Sequence, residues 1–221
     1  MKQVLEVDGV ILEFGRHRVL QDVYLKCETG QVTGLIGRNG TGKTCLMNII
    51  YGKLKPTYQS VRINRKVYLK PYRKPSEMMY LPQYNFIPRS LSLKRIFKDL
   101  KIDFSEFTNI FPTFKKYYRS NLKKLSTGEQ RIIEIYTILT SDTQFCMLDE
   151  PFSQVMPVHI ESIKRLINKE KKKKGLLITD HLYKHIVEIC DTIYLIANQK
   201  TYLTTSISDI EMLGYITKSD N

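Results

Sequence analysis

The eight residues Gly37-Arg38-Asn39-Gly40-Thr41-Gly42-Lys43-Thr44 match the pattern GxxxxGK[ST] at every fixed position. The pattern binds phosphate only where a strand runs into a glycine-rich turn that opens a helix. Both flanks are present. Residues 31–37 are a short apolar strand, and after the loop Leu46, Met47, Ile49 and Ile50 recur at helical spacing, with Gly52 placed as a C-cap. Glycine lets backbone N–H groups wrap an anion with no Cβ in the way. The helix start turns the positive end of its dipole toward the same anion. In such a loop Lys43 reaches the β- and γ-phosphates of a nucleotide, and the Thr44 hydroxyl holds Mg²⁺.

The rest of the chain alternates strands with helices. Residues 4–14 read as one or two strands, residues 61–69 and 78–81 as strands, and residues 70–76 as a loop with two prolines. Residues 92–122 are rich in Phe, Lys and Tyr and are divided by Pro112. They read as two or three short helices forming a separate lobe. Ile132, Ile135, Tyr136 and Leu139 mark an amphipathic helix, and residues 145–148 a buried strand. Pro157 opens a helix bearing Ile160, Ile163 and Ile167, which Gly175 is expected to end. Residues 176–179 and 193–196 are strands, with a helix expected over 181–190. The alternation predicts an α/β fold with a mostly parallel sheet covered on both faces.

A second site lies at the end of an apolar run, Phe145-Cys146-Met147-Leu148-Asp149-Glu150. A strand there delivers both carboxylates at its C-terminal end, where open α/β sheets bind ligands. Asp149 is placed to hold Mg²⁺, and Glu150 to orient or deprotonate an attacking water.

Composition narrows the class. The 221 residues suit one large domain, or one domain with an inserted lobe, and 42% hydrophobic with 26% charged residues is globular. No apolar run approaches the ~18–20 residues of a transmembrane helix, and the first residues lack a secretory signal. The net charge of +13 fits an anionic partner. Part of it sits in residues 169–174, expected to be a solvated helix end. No recognition module supports nucleic acid, and none is expected as a partner. Cys27, Cys45, Cys146 and Cys190 form no CxxC pair and read as reduced residues, Cys45 and Cys146 as packing ones.

Together with Leu125-Ser126-Thr127-Gly128-Glu129, these sites resemble the ATP-binding cassette family, the nucleotide-binding subunits of ABC transporters. The resemblance runs over about residues 2–205, with the motifs in the family's order. It implies a P-loop NTPase core with a mostly parallel sheet, an N-terminal antiparallel β region and a helical lobe at about 86–140, all in one domain over 1–221. It places Phe14 where adenine stacks. It places Gln83, in Leu81-Pro82-Gln83, at the glutamine joining core to lobe, serving metal and catalysis. His181, in Thr179-Asp180-His181, matches the switch histidine. The signature residues Ser126, Gly128 and Glu129 would receive the γ-phosphate of nucleotide held by a partner subunit.

Other readings stand beside these. Phe14 also suits a core aromatic, Gln83 a loop amide, His181 a surface residue at a helix start, and Ser126 with Glu129 a capping box. The sequence departs from the family's usual pattern at Thr127, Glu129, Met156 and Cys45, the last standing on the nucleotide loop where Thr or Ser is usual. The implied function is an ATP-hydrolysing subunit using ATP and Mg²⁺. It would be a homodimer sandwiching two ATP, cytoplasmic and peripheral to the membrane through a separate permease. The alternatives are a nucleotide-gated cassette with weak hydrolysis and a soluble cassette outside transport.

Overall fold

The computed structural model describes residues 2–204 and 209. In chain order these form β1 (Val4–Phe14), β2 (His17–Glu28), β3 (Val32–Gly37), α1 (Lys43–Tyr51), β4 (Tyr58–Ile63), β5 (Lys66–Val67) and β6 (Met78–Leu81). Then come α2 (Leu93–Asp99), α3 (Phe104–Ile110), α4 (Thr127–Thr140), β7 (Phe145–Asp149), α5 (Pro157–Glu170), β8 (Gly175–Thr179), α6 (Tyr183–Ile189), β9 (Thr192–Ala197) and β10 (Lys200–Thr204).

The main sheet has the order β10-β9-β3-β8-β7-β6. Only β10 runs antiparallel in it. A second, antiparallel sheet has the order β2-β1-β4-β5. The fold class is therefore the one expected. The inner strands are apolar throughout because both faces are covered. Cys146 and Leu148 belong to a core shared with α4, α5 and α6, while Phe145 and Met147 belong to a core shared with α1 and the antiparallel sheet. The parallel strands bring the C-terminal ends of β3 and β7, with β8 between them, to the same edge of the sheet as the loop before α1.

Between β6 and α4 lie α2, α3 and the 3₁₀ turns Pro112–Tyr117 and Leu122–Lys124. Their core is aromatic. Phe107 packs on Phe97 at 5.1 Å and on Tyr136 of α4 at 4.9 Å between ring centroids. Pro112 stops α3, as its sequence position predicts.

Several boundaries differ from expectation. The strand predicted over 61–69 is a hairpin of β4 and β5, turning at Asn64 and Arg65 with φ of 52° and 66°. Asparagine tolerates that left-handed geometry, so the turn is local chemistry hidden in an apparent alternation. Residues 70–76 include a 3₁₀ turn, Pro71–Arg73. The helix from Pro157 stops at Glu170, and Gly175 instead begins β8, packed against the Phe145 ring. The α6 helix starts at Tyr183 because the Asp180 side chain accepts the Leu182 N–H and turns the chain there. The α4 helix is buried on every side from Gln130 to Leu139, because it lies between the sheet and the helical stretch. The basic run is not uniformly solvated. Lys174 is buried and donates to the Leu139 carbonyl at 2.8 Å and to the Ser141 carbonyl, capping the end of α4. Among the described residues no helix is long and apolar enough to cross a membrane.

Candidate nucleotide site

The phosphate loop keeps its shape through its own backbone. Gly42 is the N-cap of α1 at φ 100°, and a Cβ there would meet Val19 Cγ1 at 2.9 Å, so no other residue fits unstrained. Lys43 is buried, and its Nζ donates to the Gly37 and Arg38 carbonyls at 2.7 and 3.2 Å. Thr41 Oγ1 donates to the same Arg38 carbonyl at 2.8 Å. Burial lowers the Lys43 pKa, and the carboxylates of Glu150, Asp149 and Asp180 oppose that shift.

Asp149 ends β7, wholly buried. Its two oxygens accept from Tyr80 Oη at 2.9 Å and from Thr44 Oγ1 at 3.3 Å. Burial raises its pKa, and these two hydrogen bonds pull it back down. Glu150 follows in a left-handed conformation, φ 51°, its N–H held by the Thr179 carbonyl at 2.7 Å. A non-glycine residue there costs about 1–3 kcal/mol and persists only where surrounding contacts impose it. Its Oε2 lies 3.5 Å from His181 Nδ1 and accepts from Ser153 Oγ at 3.3 Å. Ser153 Oγ also lies 3.4 Å from His181 Nδ1. Buried Asp180 accepts the Phe152 and Leu182 N–H groups at 3.0 and 2.9 Å. It thereby fixes the loops that present Ser153 and His181.

A cavity of about 690 Å³ brings these parts together. It is bounded by Asn39, Gly40, Gly42, Lys43, Thr44 and Cys45 on the loop, and by Phe14, Gln83, Glu150 and His181 from four other elements or loops. Phe14 is 53% exposed, so it is not a core aromatic. His17 and Val19 also line the cavity; no motif in the sequence marks them. Gly37, Arg38 and Thr41 do not line the cavity; the Gly37 and Arg38 carbonyls accept from Lys43, and Arg38 also from Thr41. Ser126, Gly128 and Glu129 lie outside this cavity, at the start of α4. There Ser126 Oγ accepts the Glu129 N–H at 3.2 Å, and Glu129 Oε2 accepts the Ser126 N–H at 2.8 Å, a complete capping box. A Cβ on Gly128 would stand 2.4 Å from the Gln154 carbonyl, so glycine is required for that close approach.

The donor set fits a magnesium nucleotide. Thr44 and Gln83 line the cavity, and Asp149, buried behind it and not part of its lining, accepts from Thr44 Oγ1. Among the described residues no three His, Cys, Asp or Glu side chains group as a metal cage. Mg²⁺ is commonly held by one or two protein oxygens together with substrate phosphates.

A second cavity, about 270 Å³, lies between the helical stretch and the sheet. Met79, Phe86, Ile87, Leu91, Ile102 and Ile138 make it mostly apolar. Tyr84 is exposed but lies outside it.

Residues 20–153 match the family described as ABC transporter. The chain belongs to that family. This ABC ATP-binding subunit is 28% identical to the lipopolysaccharide export system ATP-binding protein LptB of Acidithiobacillus ferridurans, over 95% of this chain and 93% of that one. It is 31% identical to the protein of the same name from Escherichia coli K12, over 81% of each. A solved structure described as the ATP binding subunit of an ABC transporter shares the fold, with a TM-score of 0.78 at 21% identity over 96% of this chain and 94% of that one.

Proposed function

We propose that this cassette binds ATP with Mg²⁺ in the larger cavity and hydrolyses it to power a separate membrane permease. The observation that carries the reading is the convergence of Lys43, Thr44, Gln83, Glu150 and His181 on one cavity, with Phe14 at its edge and Asp149 bonded to Thr44. In this reading Phe14 stacks on the base, and Lys43 with the loop N–H groups neutralises the phosphates. Thr44, Asp149 and Gln83 hold Mg²⁺, which supplies electrostatic stabilisation of the transferring phosphoryl group. Glu150 accepts the proton of the attacking water, and His181 steadies that water or the γ-phosphate. The contact among Glu150, Ser153 and His181 favours hydrolysis over mere nucleotide gating.

The working unit in this reading is a homodimer holding two ATP, with Ser126, Gly128 and Glu129 of each subunit facing the nucleotide of the other. The permease inserts a short helix into the apolar cavity beside Phe86. The subunit then sits on the cytoplasmic face of the membrane. The named role of both relatives favours an export-type permease.

Glu150→Gln tests the chemistry. The amide keeps size and hydrogen bonding but takes no proton, so turnover should fall about 10²–10⁴-fold while ATP binding persists and an ATP-bound dimer accumulates. Lys43→Ala should instead lose nucleotide binding. Turnover assays and size-exclusion with ATP separate the two outcomes. A Glu150→Gln variant turning over at the parent rate removes Glu150 from the mechanism.

A further inference from the structure

Arg131 and Glu134 lie one turn apart on α4, with side chains 2% and 0% exposed. Neither lines the nucleotide cavity. Arg131 grips main chain at or beside that cavity, and Glu134 grips main chain of the apolar one. Arg131 donates to the Pro82 carbonyl at 2.6 Å, to the Asp149 carbonyl at 2.7 Å and to the Glu150 carbonyl at 3.3 Å. Glu134 Oε1 accepts the N–H groups of Phe86 and Ile87 at 2.7 and 2.9 Å. Pro82 precedes Gln83 at the nucleotide cavity, while Phe86 and Ile87 line the apolar one. Asn85 adds a bond from the same segment to the Thr127 carbonyl at 3.3 Å. Residues 82–87 therefore join the two cavities, and this one charged pair ties them to the end of β7.

The pair itself is loose. Arg131 and Glu134 Oε2 stand 3.7 Å apart, and among the described residues Oε2 has no hydrogen-bond partner. A buried carboxylate oxygen without a hydrogen bond is expensive, and an apolar pair of similar volume would often be as stable. Fold stability is thus a poor reason for these two side chains. The left-handed Glu150 supplies a better one. Its strained backbone is held by the Thr179 carbonyl on its N–H and by Arg131 on its own carbonyl. Phe86 and Ile87 are thus connected through the Glu134 carboxylate and the Arg131 guanidinium to the backbone that aims the Glu150 side chain.

We propose that Arg131 and Glu134 are positioning residues for the ATPase reaction, through which an occupant of the apolar cavity sets the alignment of Glu150. The proposal rests on the hydrolysis reading above and adds to it the path between the two cavities.

The test uses the purified full chain, with steady-state ATP turnover, fluorescent-nucleotide binding and amide hydrogen exchange. Glu134→Ala should lower kcat about tenfold or more with KM and nucleotide affinity changed less than about threefold. Exchange at Phe86 and Ile87 should quicken about tenfold or more while β7 and β8 keep the parent rates. Glu134→Gln retains an acceptor oxygen and should restore the amide protection and most of the turnover. Glu134→Ala turning over within about twofold of the parent, with those amides released, would make the pair a structural anchor only and overturn the proposal. If Glu134→Ala exchanges faster throughout, Arg131→Lys decides, since it keeps the buried charge but loses the fork; parent-like turnover there overturns the proposal as well. A parent chain with no turnover sinks the hydrolysis reading and this proposal with it, whereas an active parent with unaffected variants sinks the proposal alone.

Discussion

Phe14 ends β1 at the edge of the nucleotide cavity, more than half exposed and with no ring packed against it among the described residues. An exposed aromatic in that place offers a π-face and no reading of base edges. Phe14→Ala should weaken ATP binding by about 1–3 kcal/mol, the range for base–aromatic stacking. GTP should bind the parent nearly as well as ATP and lose as much in the variant. Equilibrium titration with both nucleotides checks this, and unchanged affinity for both removes the stacking role. Lys43, Thr44, Asp149 and Glu150 were legible because phosphate and metal chemistry restricts both residue type and spacing. Tyr80, Ser153 and Asp180 were not, because their partners arrive through tertiary structure. Tyr80 meets Asp149 only because β6 pairs with β7 in a register that sets Tyr80 opposite Met147.

At the scale of elements, the buried strands could be read from apolar runs alone, since both faces are covered. The hairpin at residues 58–67 could not, because the Asn64-Arg65 turn interrupts an otherwise strand-like pattern. The α4 helix was legible as a helix but not as a buried one, since Arg131 and Glu134 look like a solvated face until their backbone partners are in view. The start of α5 carries a testable defect. Met156 is its N-cap in extended conformation, 56% exposed and making no side-chain cap hydrogen bond. Met156→Asp should stabilise the chain by about 0.5–2 kcal/mol, read as a rise in Tm. An unchanged Tm would show that the cap groups are already satisfied. The α5 and α6 helices are tied by Lys164 and Glu188. The Lys164 bond holds the Glu188 carboxyl below its usual range. A depressed carboxyl contributes stability above its unfolded pKa and loses it as pH falls through the lower folded value. Glu188 is about half exposed, so solvent screening limits the pair to under about 1 kcal/mol. Glu188→Gln should therefore lower Tm slightly at neutral pH, with the gap closing as the medium becomes acidic enough to protonate the parent carboxyl. A gap that persists there would assign the effect to packing.

Over the whole molecule, the two cavities lie at the two ends of one short segment, and this sets the last expectation. Phe86 lines the apolar cavity with 40% of its surface exposed, while its N–H is bound to Glu134. A half-exposed phenyl ring on an anchored backbone suits a contact that forms and breaks without unfolding the chain. Phe86 lies between Pro82 and Pro88, a poor setting for a regular core element, so from sequence alone an interface anchor and a packing residue are equal readings of it. The exposure of Phe86 favours the interface, whereas the neighbouring Tyr84, exposed as well, lies away from the cavity. Phe86→Ala removes the ring and leaves the backbone bond to Glu134 in place. Basal ATPase of the isolated subunit should stay within about twofold of the parent, since no group at the nucleotide is touched. Capture by a candidate permease should weaken, because a buried aromatic anchor is typically worth about 2 kcal/mol or more at an interface. Co-purification and the permease-dependent rise in ATPase report the two effects separately. A Phe86→Ala chain that assembles and couples like the parent places the contact elsewhere, and one that unfolds assigns the ring to packing between the helical stretch and the sheet.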